Sequence, residues 1–251
     1  MINRLQGSAA DHDLATSTAL SLSVAGVVFT MLTATIATAA DLGPAFYAIS
    51  LSLGCVICGL LVVRLPQRLP WNRFGSANCV TLARALLTCL LAGTLGAMPL
   101  TGALAWTMLA IAALAFALDG VDGWLARRRR EDSAFGARFD METDALFVLV
   151  LSLIVFELEK AGAWVLLSGA MRYLFVAAGL VWPWLVGPLP PSRRRQIVCA
   201  LQGGALVVCL APITPPALSV WLALAALAAL GLSFVKDVLW LRRNRTTGGA
   251  E

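Results

Sequence analysis

Apolar runs of about twenty residues, each long enough as a helix to cross a hydrocarbon core of roughly 30 Å, recur along the whole chain and decide its class. Eight spans are predicted, over residues 15–39, 44–63, 76–98, 102–120, 141–158, 162–185, 196–212 and 216–240. With 59% hydrophobic and only 13% charged residues, and a mean hydropathy of +0.83, the composition is far from that of a soluble domain. The expected fold is all-α: a polytopic integral membrane protein.

Basic residues set the orientation, because positively charged loops stay cytoplasmic. Arg4, then Arg64, Arg68 and Arg73, then Arg127 to Arg130 with Arg138, then Arg193 to Arg195, then Arg242, Arg243 and Arg245 alternate with loops that hold only Lys160. Eight crossings satisfy this alternation and put both termini in the cytoplasm, in what is expected to be a bacterial inner membrane. The net charge of +5 then reflects topology and anionic headgroups, and no nucleic-acid partner is expected. Ala37-Thr38-Ala39 looks like a cleavage site, but the leader carries Asp11 and Asp13 beside a single Arg4 and the apolar stretch exceeds a signal core, so the first span is read as a retained helix. The six cysteines read as small packing residues, and Cys55-x2-Cys58 has no second pair to complete a metal site.

A polar, proline-containing stretch from Arg64 to Arg73 separates the first two spans from the rest. An accessory transmembrane helical pair over 1–70, followed by a six-helix core over 71–245, is the expected organisation. Pro188, Pro190 and Pro191 mark the turn before the seventh span.

Eight residues within twenty-six positions carry the chemistry: Asp119-x2-Asp122-Gly123-x2-Ala126-Arg127-x8-Gly136-x3-Asp140-x3-Asp144, at the junction of an apolar segment and a basic loop. Carboxylates near lipid are costly unless they pair, line a cavity or bind an ion. Asp119 and Asp122 are three apart and Asp140 and Asp144 four apart, so each pair shares a helical face, and a hairpin of the two helices brings all four together. Four like charges so close either take up protons or bind cations. An all-oxygen site favours Mg²⁺, Mn²⁺ or Ca²⁺ over zinc. Gly123, Ala126 and Gly136 allow a backbone or a flat ligand to approach closely. Arg127 can hold phosphate oxygens in two-point contact, so metal ions, an arginine and a spare carboxylate together describe a phosphoryl-transfer site.

At every specified position and spacing this motif resembles the signature of the CDP-alcohol phosphotransferases (CDP-alcohol phosphatidyltransferases), and the six spans from about residue 76 to 240 look like that family's core. The resemblance implies two divalent ions, Mg²⁺ or Mn²⁺, held by Asp119, Asp122, Asp140 and Asp144, with Asp144 as the base and Gly123, Ala126 and Arg127 around the CDP moiety. Asn78-x2-Thr81-x2-Arg84 resembles the polar stripe that members use near the nucleotide, and Arg172 resembles an arginine in the corresponding helix of several members. For Asn78 and Thr81 a helix cap and a back-bond to the helix are equal alternatives. Arg84, about two turns inside a span, needs a phosphate or carboxylate partner. The family also suggests a homodimer.

The remaining charged residues have simpler readings. Arg193 to Arg195 lie on the cytoplasmic side, where they could bind an acceptor's phosphate, but topology alone accounts for such a cluster and is the preferred reading. Lys236-Asp237 is read as an interfacial ion pair, Glu131 and Asp132 as solvated counterions to the arginine run, and Glu142 as lying on another face from Asp140 and Asp144. Glu157, Glu159 and Lys160 form an ordinary outer loop, Trp164, Trp182, Trp184 and Trp240 an interfacial belt, and His12 is solvated.

The expected function is transfer of a substituted phosphate from a CDP-linked donor, CDP-diacylglycerol, to a small polar alcohol such as glycerol phosphate, inositol or its phosphate, or serine, with release of CMP. Three alternatives stay open: a CDP-aminoalcohol donor with diacylglycerol as acceptor, a cation transporter, and an inactive lipid-binding subunit.

Overall fold

The computed structural model describes residues 2–66, 69, 71, 73–97, 102–129, 131, 133–187, 189–190 and 192–244, and all regular structure among them is helical. The helices are α1 (Ile2–Ala39), α2 (Pro44–Arg64), α3 (Ser76–Gly93), α4 (Gly102–Arg129), α5 (Ala134–Glu157), α6 (Leu166–Val181), α7 (Arg193–Leu210) and α8 (Pro216–Arg243), with short 3₁₀ turns at Thr94–Gly96, Ala163–Val165 and Pro183–Val186. Arg68, Arg130, Asp132, Pro188, Pro191 and Arg245 lie outside the described residues, as do the side chains of Arg4, Asp11 and His12.

Among the described residues, six segments are long and apolar enough to cross a membrane: Asp13–Ala39, Pro44–Arg64, Ser76–Gly93, Gly102–Arg129, Ala163–Val181 and Pro216–Arg243. The chain is an integral membrane protein. Helices α5 and α7 stand where the fifth and seventh spans are predicted, but α5 opens with Arg138, Asp140, Glu142 and Asp144 and α7 with three arginines. That concentration of charge sets both apart from the six, although the rest of α5 is as apolar as they are.

Boundaries depart from the sequence reading for local reasons. Helix α4 runs on past the predicted end at residue 120 to Arg129, so Arg127 to Arg129 are helical and not in the loop. Arginine is a good helix former and is favoured in a last turn by the helix dipole, and Arg128 lies 4.8 Å over the Trp124 ring one turn back. At its start, α5 has Ser133 as a cap, whose Oγ accepts from the Gly136 amide at 3.0 Å. Helix α6 ends before Pro183, which cannot continue it.

Two compact units divide the chain within α5, Met1–Leu146 and Phe147–Glu251. In the first, α3 packs against both α2 and α4 and is buried on nearly every face. A core of Phe29, Phe46, Leu61, Phe74, Leu82, Leu86 and Leu90 joins α1, α2 and α3, with Phe135 and Phe139 against it. In lipid such contacts hold by close packing more than by exclusion of water. Gly93 makes the tightest of these approaches, since a Cβ there would fall 2.1 Å from Ser50 Oγ and 3.0 Å from the Phe46 carbonyl oxygen. The N-terminal end of α3 is tied to the α4–α5 loop. Glu131 Oε2 accepts from the Ser76 amide at 2.8 Å, the Ser76 hydroxyl at 2.8 Å and the Ala77 amide at 3.2 Å. Glu131 is therefore a helix cap and not a loop counterion. Gly75, with φ +86°, supplies the backbone turn that admits it.

In the second unit, α7 and α8 pack as a hairpin. Arg194 donates to Asp237 at 2.6 Å and to the Ser233 hydroxyl at 2.8 Å, and Arg195 lies 3.6 Å from the same aspartate. Asp237 thus pairs across helices, not with its neighbour Lys236, because adjacent helical residues point to different faces. Lys160 turns inward and donates to the Ala211 carbonyl oxygen just past the end of α7, and burial pulls its ammonium below the usual lysine pKa. It is a cap for that helix end, not part of an ordinary loop.

Helices α1 and α5 end in the same motif. Leu42 N–H reaches Ala37 O at 2.8 Å and Lys160 N–H reaches Val155 O at 3.2 Å, with left-handed residues Asp41 (φ 50°) and Glu159 (φ 55°) between. Aspartate tolerates that conformation better than glutamate. Glu159→Gly is expected to stabilise the protein by about 1 kcal/mol, more than Asp41→Gly, read as a rise in melting temperature in detergent. Glu131→Ala is expected to destabilise it by about 1–2 kcal/mol, with Glu131→Gln intermediate, by the same measurement.

Candidate active site

Three helices of the first unit build the site. Asn78, Thr81 and Arg84 lie three apart on α3, while α4 supplies Asp119 and Asp122 and α5 supplies Asp140 and Asp144. Arg84, with 2% of its surface exposed, stands where the four carboxylates meet. Its Nη1 lies 2.7 Å from Asp122 Oδ2 and 2.7 Å from Asp140 Oδ1. Its Nη2 lies 2.7 Å from Asp119 Oδ1 and 2.5 Å from Asp144 Oδ1. Its Nε donates to the Ala115 carbonyl oxygen at 3.3 Å. A guanidinium has five N–H donors, and five acceptors surround this one.

Asp122 is the most enclosed of the four. Besides Arg84 it accepts from the Thr81 hydroxyl at 3.1 Å, and its other oxygen accepts from the Gly123 amide at 2.7 Å. Asp119, Asp140 and Asp144 are more open, with side chains 34%, 39% and 26% exposed. Each offers a ligand oxygen within 4.8 Å of those of the other two.

Charge bears on what else this group could hold. At an effective dielectric of about 20, each guanidinium–carboxylate pair is worth about 4 kcal/mol at 4 Å, and each carboxylate–carboxylate repulsion somewhat less at its greater separation. One guanidinium therefore roughly offsets six repulsions and leaves a formal charge of −3. An all-carboxylate donor set with this excess and this spacing fits a hard divalent ion such as Mg²⁺ or Mn²⁺.

The motif's small residues divide between two uses. A Cβ on Gly136 would fall 2.8 Å from Asn78 Oδ1, so this glycine seats the first turn of α5 against α3. Asn78 is held by a bond from its Nδ2 to the Phe74 carbonyl oxygen at 2.5 Å, and Thr81 also back-bonds to Ala77 at 3.1 Å. Gly123 lies beneath Arg127, with 3.3 Å from its Cβ position to Nη1. Arg127 is exposed and has no ion pair among the described residues, and Ala126 lies half-buried beside it. Arg172 lies half-buried on α6 in the second unit. Glu131 is the positioning residue that the sequence reading missed, because a carboxylate beside four arginines resembles a counterion until its distant amide partners are known.

Over residues 74–232 the chain matches the family described as CDP-alcohol phosphatidyltransferase. A curated relative, CDP-diacylglycerol--glycerol-3-phosphate 3-phosphatidyltransferase of Pseudomonas fluorescens, is 33% identical over 150 residues, covering 55% of this chain and 75% of the relative. No solved structure matches. With the four motif aspartates gathered around Arg84 and the family match running through every residue of the motif, the chain belongs to the CDP-alcohol phosphatidyltransferase family of enzymes.

Proposed function

We propose that this enzyme transfers the phosphatidyl group of CDP-diacylglycerol to a small polar alcohol and releases CMP, with glycerol 3-phosphate the first acceptor to test, as the relative's name suggests. The convergence of all four motif aspartates on one point, from two helices, is the observation that carries this reading. Asp119, Asp122, Asp140 and Asp144 would hold two divalent ions. Ions held there supply positive charge to the diphosphate oxygens.

The chain's own residues do the rest in this reading. Asp144 keeps one oxygen without a hydrogen bond among the described residues, and that oxygen takes the proton of the acceptor hydroxyl. The acceptor oxygen then attacks the β-phosphorus of the donor, and the bond to the CMP oxygen breaks. Arg127, free of any ion pair among the described residues, holds the departing phosphate. Gly123 and Ala126 leave room for the nucleotide on that face. Asn78, Thr81 and Gly136 act one layer behind, fixing α3 against the two halves of the motif. Arg172, on α6, is proposed as a further nucleotide-binding residue, as the family resemblance implies. Sidedness follows the arginines, with both termini in the cytoplasm, eight crossings and α1–α2 as an accessory pair ahead of a core from residue 71. A homodimer in a bacterial inner membrane completes the proposal.

Purified protein in detergent, given CDP-diacylglycerol, glycerol 3-phosphate and Mg²⁺ or Mn²⁺, is expected to release CMP, and EDTA is expected to abolish the release until the ion is restored. Asp144→Asn should lower kcat by about 10²–10⁴-fold with little change in donor KM. Arg127→Ala should instead raise donor KM, by about tenfold or more for the loss of a charged phosphate contact. CMP release only from a CDP-aminoalcohol with diacylglycerol would overturn the donor assignment. Ion flux in vesicles without any CMP release would point to transport.

A further inference from the structure

We propose that Arg84 is a built-in counter-cation of the aspartate quartet: it holds the four carboxylates together when no divalent ion is bound, and it competes with the ion for their oxygens. This rests on the reading that the quartet holds divalent ions.

The geometry separates this role from that of a nucleotide ligand. Four of the guanidinium's five N–H groups donate to protein oxygens, on Asp122, Asp140, Asp144 and Ala115, and the Asp119 oxygen stands 2.7 Å from Nη2 as an ion pair, so the guanidinium is fully engaged by the protein and not held out toward a phosphate. The acceptors are also unequal. Asp122 has both oxygens engaged, by Arg84 and Thr81 on one side and the Gly123 amide on the other. Asp119, Asp140 and Asp144 each keep one oxygen without a hydrogen bond among the described residues, and these three form the group spaced for a metal. Arg84 is buried, whereas the three are partly open. The arginine therefore sits on the closed side of the carboxylates and an incoming ion meets them from the open side.

An ion on that side shares its carboxylates with a fixed positive charge a few ångströms away, and like charges at that range repel strongly in a partly buried site. Arg84 thus weakens the hold on the ion while preventing the ion-free carboxylates from pushing α4 and α5 apart. A neutral side chain of similar reach removes the competition. A merely structural arginine predicts the reverse, since its loss would disperse the ligands and weaken binding.

The test is Mn²⁺ titration of the purified full-length protein, read from the spin-resonance signal of free Mn²⁺, for wild type, Arg84→Gln and Arg84→Lys, with melting curves in EDTA and in Mn²⁺. Arg84→Gln should bind Mn²⁺ about tenfold or more tighter than wild type. It should also melt below wild type in EDTA and recover in Mn²⁺. Arg84→Lys, which keeps the charge, should stay within a few-fold of wild type in affinity. If Arg84→Gln is isolable only with Mn²⁺, titrating the loaded protein against graded EDTA gives the same constant. Equal or weaker binding by Arg84→Gln, with wild type binding normally, overturns the proposal alone. Wild type that binds no Mn²⁺ overturns it together with the metal reading, and CMP release by wild type reports separately on the transfer reaction.

Discussion

One arginine among four aspartates, inside a helical membrane protein, is the arrangement on which the first unit depends. Carboxylates that close together repel, and at a partly buried site water screens them only in part. Arg84 makes their assembly tolerable, and its own burial is tolerable only because they are there. The pairing is mutual: each partner alone would be a charge stranded within the helical packing. Helix α3, which carries the arginine, is also the most enclosed of the six spanning helices, so the central charge is set on a closely packed support.

The rest of the first unit fixes where α3 stands. Its first turn is capped by Glu131 from the short loop between α4 and α5, and Asn78 sits against Gly136 at the start of α5. Both contacts join the helix bearing the arginine to the hairpin bearing the aspartates. A slip of α3 along its axis by one residue would move Arg84 by about 1.5 Å, more than half the length of its ion pairs. Because the capped turn, Asn78 and Arg84 all lie on one helix, such a slip would break several bonds at once.

The membrane made much of this legible from sequence. A hydrocarbon core imposes a minimum length on each apolar run, so the helices and their order could be read directly, and a motif with eight fixed positions located the site. Ends were harder to read. Arg127 to Arg129 looked like loop residues because charge was equated with solvent, yet they extend α4, and the charged starts of α5 and α7 set these helices apart from the six that are plainly apolar enough to span. Partners distant in sequence were harder still. Glu131, Lys160 and Asp237 each looked like a member of a local charge pattern, and each makes its defining bond elsewhere: to the start of α3, to the end of α7, or from α8 to α7. Helical periodicity tells which residues share a face, and it says nothing about what that face meets. Arg84 was an intermediate case, since its depth demanded an anionic partner without specifying which.

The family match opens at residue 74, beyond α1 and α2, yet the missing side chain at Gly93 leaves room on α3 for Ser50 and Phe46 of α2, and the Phe74 amide donates to Ser17 of α1 at 3.1 Å. The leading pair is thus recessed into the helix that bears the arginine and cannot be regarded as a detachable appendage. Excising it would leave a notch in α3 shaped for an absent neighbour, and lipid chains, being mobile and of no fixed form, would fill that notch poorly.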